Sequence, residues 1–144
     1  MNTKLFYISI FLIFALLMVG CSPSGVIIPT TEEAKIKIVI NEYALALSNH
    51  NWNKARGYCV YGSEPYYAIS QTESLINNLS LYCNLITFNY IINIQNVSVS
   101  GNYATVYGYS YKLVTACGYY DTYEKYSTYH LQKVGNSWKI YKVS

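Results

Sequence analysis

Few residues in this 144-residue chain are of types that perform acid–base, nucleophilic or metal chemistry. Its two histidines are His50 and His130, and only seven residues are acidic. Asp121 and His130 fall in one alternating stretch, with Glu124 between them. On an extended strand they stand about 30 Å apart, and odd–even parity puts them on opposite faces. Cys59, Cys83 and Cys117 show no Cys-x-x-Cys spacing, and two isolated histidines do not complete a zinc set. None of the three thiols has an orienting base placed beside it by the sequence. The sequence therefore points to no catalytic residue, no metal and no cofactor. His130 reads as a half-exposed strand residue. His50, in Ser48-Asn49-His50-Asn51, reads as a solvated loop residue or a contact at a helix C-terminus. An enzyme doing acid–base chemistry, with Asp121 or His130 beside a tyrosine, stays as the alternative.

Tyrosine is the residue type in excess. The chain has 18, all but Tyr7 beyond the first twenty residues, while only 12% of residues are charged. Exposed faces must then be built from Tyr, Asn, Ser and Thr. One explanation is codon drift in an A/T-rich genome. The other is a binding surface, because a tyrosine joins a rigid apolar ring to a polar tip at low entropic cost. Tyr103, Tyr107, Tyr109 and Tyr111 share one face of an alternating run and are the candidate interface or ligand face. Subunit pairing, plain sheet packing and ligand stacking all use such a row.

The chain begins with Lys4, an apolar run from Leu5 to Val19 broken by Ser9, and then Gly20-Cys21. A basic start, an apolar core and a small residue before the break form a secretory signal. The segment Leu17-Met18-Val19-Gly20-Cys21 resembles the lipobox of prokaryotic lipoproteins, with Met18 where Leu is more usual. The resemblance implies a diacylglycerol on Cys21 and cleavage before it. The competing reading is an uncleaved anchor, for which the run is short of the ~20 apolar residues of a span. Residues 1–20 are thus a removed leader and 21–29, with Pro23, Gly25 and Pro29, a lipidated tether. Residues 30–144 are left as one domain, since 124 mature residues suit one core and not two. The expected location is exported, lipid-anchored to the outer face of the cytoplasmic membrane or to the outer membrane. Removing Lys4 from ten basic residues leaves nine against seven acidic ones, a net charge of +2 without runs. No nucleic-acid partner is expected from that balance. The expected partners are the membrane, through the lipid, and a second copy or an envelope protein. In an oxidising compartment two of Cys59, Cys83 and Cys117 form one disulfide, or all three stay as buried thiols.

Thr30 with Glu33 reads as a capping box, and Ile36, Ile40, Tyr43 and Leu47 form a helical stripe ending near Ser48. Asn51 caps a short second helix from Trp52 to Tyr58, with Trp52 and Ala55 on one side. The stretch 57–65 reads as loop. Ser70 with Glu73 predicts a third helix over 71–80, its stripe being Leu75, Leu79 and Tyr82. From Thr87 the period changes to two. Strands are expected over 87–100, 103–115, 119–134 and 137–143, with hairpin turns at Gly101-Asn102 and Gly135-Asn136. On the second strand Ala104, Val106, Gly108 and Ser110 face away from the tyrosines and can accept a helix. This is an α+β layout: two or three N-terminal helices on a curved antiparallel sheet of about four strands.

The order of these elements, with Trp52 and Ala55, the Gly101-Asn102 turn before Ala104 and Val106, and the closing Gly135 to Ile140, resembles the small lipoproteins with a nuclear-transport-factor-2-like, cone-shaped domain. The resemblance implies a sheet curled around the helices, a cone whose mouth can take an apolar ligand, and frequent pairing between subunits. Its enzymatic members, such as those resembling ketosteroid isomerase, place an acid or a His–Asp pair inside the cone. Here the strand acids are only Asp121 and Glu124, and the strand histidine is His130.

Overall fold

The computed structural model describes residues 31–144. The leader, Cys21, the 21–29 tether and Thr30 lie outside the described residues. Helix α1 runs Glu32–Ser48, and Thr31 is its N-cap, accepting from the Ala34 N–H at 3.1 Å. The cap thus falls one residue later than the expected Thr30, and with Ala34 three residues on it is a simple N-cap, not a capping box. Glu33 instead pairs with Lys37 one turn on, at 2.6 Å. Ile36, Ile40, Tyr43 and Leu47 are buried as their spacing predicts.

The end of α1 explains His50. The Asn51 N–H donates to the Ala46 carbonyl and the His50 N–H to that of Leu47. These are the two bonds of a Schellman motif, in which the residue after the cap takes a left-handed conformation. His50 occupies that position with φ 55°. Helix α2, Trp52–Gly57, follows at once, capped by Asn51 as expected, with Trp52 and Ala55 buried.

Helix α3 corrects the sequence reading. It spans Glu64–Ser80, seven residues longer at its start than expected, with Ser63 as N-cap and Pro65 in the first turn. Proline there only forfeits an N–H that has no helical partner. Ser70 lies mid-helix and donates back to the Tyr66 carbonyl, while Glu73 pairs with Arg56 of α2. The buried face is Pro65, Ile69 and Ile76, and Leu75 and Tyr82 are exposed.

Four strands follow: β1 Ile86–Ser100, β2 Tyr103–Ala116, β3 Tyr119–Val134 and β4 Ser137–Val143. They form one antiparallel meander in sequence order. Helices packed on one face of a four-stranded antiparallel sheet are the architecture the pattern implies. The helix-facing side carries Phe88, Ile92, Ala104, Val106, Tyr129, Leu131, Trp138 and Ile140, all buried. At Gly108 an added Cβ would lie 2.8 Å from the Asn93 carbonyl oxygen, beside the bulge between Ile94 and Asn96. Bare glycine lets the sheet coil there.

Each edge of the sheet is engaged at one residue by the helical layer, which interrupts the row of unpaired groups that an open edge presents. On β1, the Tyr90 N–H donates to Ser48 Oγ at 2.8 Å, and the Tyr90 carbonyl lies 3.1 Å from the same hydroxyl. On β4, Ile140 bonds Tyr58 and Val60 of the loop after α2. Cys83 and Cys117 form a disulfide between the α3–β1 loop and the β2–β3 turn, and Cys59 is a buried free thiol. Among the described residues, no helix is long and apolar enough to cross a membrane.

Candidate functional site

The β2–β3 turn is only Cys117-Gly118, so the register of the two strands follows from it, placing Tyr109 opposite Tyr126 and Tyr111 opposite Glu124. Because Ala104, Val106, Gly108 and Ser110 turn inward, Tyr103, Tyr107, Tyr109 and Tyr111 all point away from the helices. They meet further aromatics from neighbouring strands. The Tyr107 and Tyr126 rings stack with centroids 5.6 Å apart and planes 8° from parallel. Tyr109 meets Tyr126 edge-on at 5.4 Å, and Tyr103 meets Tyr141 edge-on at 6.5 Å. Tyr103, Tyr107 and Tyr126 remain 59%, 42% and 57% exposed, so the rings pack on each other and still leave much of their surface open.

The Tyr109 hydroxyl donates to the Glu124 carboxylate. That bond, more than burial, pushes its pKa up to about 12 and keeps the phenol protonated. Tyr126 and Tyr141 belong to this face but were not among the sequence candidates. Tyr126 was within reach, since a two-residue turn at 117–118 sets it across from Tyr109. The remaining sequence candidates do not converge. His130 lies on the outer face with Nε2 3.1 Å from Ser144 Oγ. Asp121 sits exposed near the far end of β3, opposite Val114. His50 is not a solvated loop residue. Its ring stacks on Trp52 at 5.2 Å and 12°, and Nε2 is buried without a hydrogen-bond partner.

The inner face of the sheet holds a second feature. A cavity of about 180 Å³ is lined by Tyr43, Glu64, Pro65, Ala68, Tyr90, Lys125 and Val143. Behind it runs a chain of hydroxyls. Tyr90 and Tyr129 are 2.7 Å apart at their oxygens, and Tyr129 and Ser110 are 2.6 Å apart. Ser127 Oγ is buried and outside hydrogen-bond geometry, although near enough to favour the Tyr129 phenolate slightly. Burial dominates and raises the phenols of Tyr129 and Tyr43 far above their ordinary value. These hydroxyls hold their protons and serve as hydrogen-bonding groups. Burial likewise pushes the Cys59 thiol up to about 12, which leaves it a packing residue and not a nucleophile. Among the described residues no group of three His, Cys, Asp or Glu could hold a metal ion.

Comparison with known proteins places the fold. No family model and no curated protein matches the chain. Among solved structures it is similar to the β subunit of benzoate 1,2-dioxygenase from Burkholderia mallei, with a TM-score of 0.64 and 15% identity over 81% of this chain and 90% of that one. It is similar to a nuclear-transport-factor-2-like protein with a cystatin-like fold from Novosphingobium aromaticivorans, with a TM-score of 0.57 and 13% identity over 76% of this chain and 77% of that one. It also spans 38% of the length of Bd1075 from Bdellovibrio bacteriovorus, with a TM-score of 0.55 and 14% identity over 76% of this chain. The domain has the nuclear-transport-factor-2-like fold. At these identities the likeness is one of fold alone.

Proposed function

We propose that the chain is an exported lipoprotein, lipidated on Cys21, whose cone-shaped domain is a non-catalytic pairing module that joins a second copy through the outer face of β2 and β3. The exposed, mutually packed rings of Tyr103, Tyr107 and Tyr126 on adjacent strands carry this reading. From Glu73 to Lys112 the sequence holds no charge at all, so β1 and most of β2 offer no ion that pairing would strip of water. The area is also sufficient. Three strands paired over some 14 residues make a face of roughly 46 by 14 Å, about 650 Å² before β4 is added. A stable interface takes about 600–1,000 Å² from each partner. The cavity in the cone is below the ~300 Å³ where small-molecule sites begin. That size favours the outer face over the cone.

The lipid half of the reading rests on Leu17 to Cys21. Cell fractionation of Cys21→Ser, with mass spectrometry of the mature N-terminus of the parent, tests it. The parent is expected to begin at a diacylated Cys21 and to fractionate with membranes, and the variant to keep its leader. A variant processed and retained as the parent is would refute lipidation.

A further inference from the structure

A second apolar surface lies at one end of the molecule, apart from the tyrosine face. The α3–β1 loop and the β2–β3 turn are clasped by the Cys83–Cys117 disulfide. Around that clasp Leu81, Tyr82, Leu85, Tyr119 and Tyr120 are each more than 70% exposed. Neither segment, 81–88 nor 113–120, contains a charged residue. Exposed leucines clustered with tyrosines are costly in water, and a soluble surface seldom groups them without a partner.

The position of the clasp relative to the tether indicates what that partner is. Glu32, the first residue of α1, is held by Lys133 and Trp138 at one end of the sheet. Tyr119 begins β3 fourteen residues from Lys133, about 46 Å along the strand. The ten residues between Cys21 and Glu32 span at most about 35 Å. A domain tethered at its root can therefore lie over and bring the clasp to the bilayer, with the root standing off by up to the tether length. Tyrosine rings favour the headgroup level and leucines the acyl boundary just below it.

We propose that the disulfide-clasped end is a second membrane contact, which inserts Tyr82, Tyr119 and Tyr120 among lipid headgroups and Leu81 and Leu85 beneath them. This rests on the lipid anchor at Cys21. Its role is to fix orientation, because a domain held at both ends presents its outer sheet face sideways to other copies in the same membrane. The two clasp segments carry no charge and their one acidic neighbour, Asp121, gains nothing from anionic lipid, so insertion does not depend on electrostatic attraction and persists at high salt.

The test uses the full lipidated chain in phosphatidylcholine–phosphatidylethanolamine vesicles with and without brominated acyl chains. Tyr120→Trp reports the clasp, Tyr61→Trp reports an exposed loop elsewhere, and the parent's two tryptophans are subtracted. Brominated lipid is expected to quench Tyr120→Trp by about half or more and to leave Tyr61→Trp unchanged, equally at low and high salt. Adding Leu81→Ser and Leu85→Ser is expected to restore the emission. A chain that floats with the vesicles while Tyr120→Trp stays unquenched overturns the clasp contact, leaves the anchor standing, and hands the surface to a protein. A chain that does not float overturns the anchor, and this contact with it.

Discussion

At the scale of single residues, the carboxylate of Glu32 fixes the start of α1 against the end of the sheet. It accepts from Trp138 Nε1 at 2.7 Å, from Lys35 at 2.8 Å and from Lys133 at 3.1 Å. The Lys35 bond, then those of Trp138 and Lys133, lower its pKa to about 2. Since the unfolded carboxyl titrates near 4.3, the stabilisation is complete above that pH and is lost as pH falls toward about 2. Glu32→Gln is therefore expected to flatten the acid limb of the stability profile, measured by chemical denaturation between those limits. Ser48 is a comparable fastener. Ser48→Ala would strand the Tyr90 N–H at the edge of β1 and is expected to cost about 1–3 kcal/mol. Gly108→Ala is expected to cost a similar 1–3 kcal/mol or so, because the backbone carbonyl of Asn93 cannot move aside as a side chain can. Thermal melts of the two variants check both figures.

At the scale of elements, the parts of the chain that follow a local rule could be read directly. The α1 stripe, the Asn51 cap of α2, and the alternation of β2 and β3 each repeat at the period of their own geometry, and each is where the pattern puts it. What escaped needed information from farther along the chain. Helix α3 starts at Glu64 because Pro65 can open a helix as readily as it can end one, and only packing against α2 and the sheet decides between the two. Ser70 and Glu73 mimic a cap although their actual partners are Tyr66 and Arg56. The sequence puts His50 at the helix end, where it lies, but its left-handed conformation and its stacking on Trp52 escaped, because a Schellman position normally signals itself by glycine. The hydroxyl chain from Tyr90 through Tyr129 to Ser110 crosses three strands, and its members are far apart in sequence. The choice of Cys83 and Cys117 over Cys59 is likewise tertiary: Cys59 sits beneath the β4 edge, bridged to Ile140. The clasp joins residues 34 positions apart. Cys83→Ala with Cys117→Ala is expected to lower unfolding free energy by about 2–4 kcal/mol in denaturant melts, while Cys59→Ala acts only through packing.

At the scale of the whole molecule, the proposed lipid anchor falls at one end, the apolar clasp at the other and the exposed aromatic sheet between them. The helices are spent on the inner face, and the edges are engaged at Tyr90 of β1 by Ser48 and at Ile140 of β4 by the loop after α2. That leaves the outer face as the broad surface on which a partner can sit. Truncating Tyr107 and Tyr126 removes the stacked pair at its centre without touching the core. The most direct measurement is sedimentation equilibrium of the lipidated chain in density-matched detergent, beside the double variant Tyr107→Ser, Tyr126→Ser. A dimer for the parent and a folded monomer for the variant is the expected result. A parent that stays monomeric at concentrations well above those in its membrane, or a variant that pairs as well as the parent, would contradict the assignment of the tyrosine face.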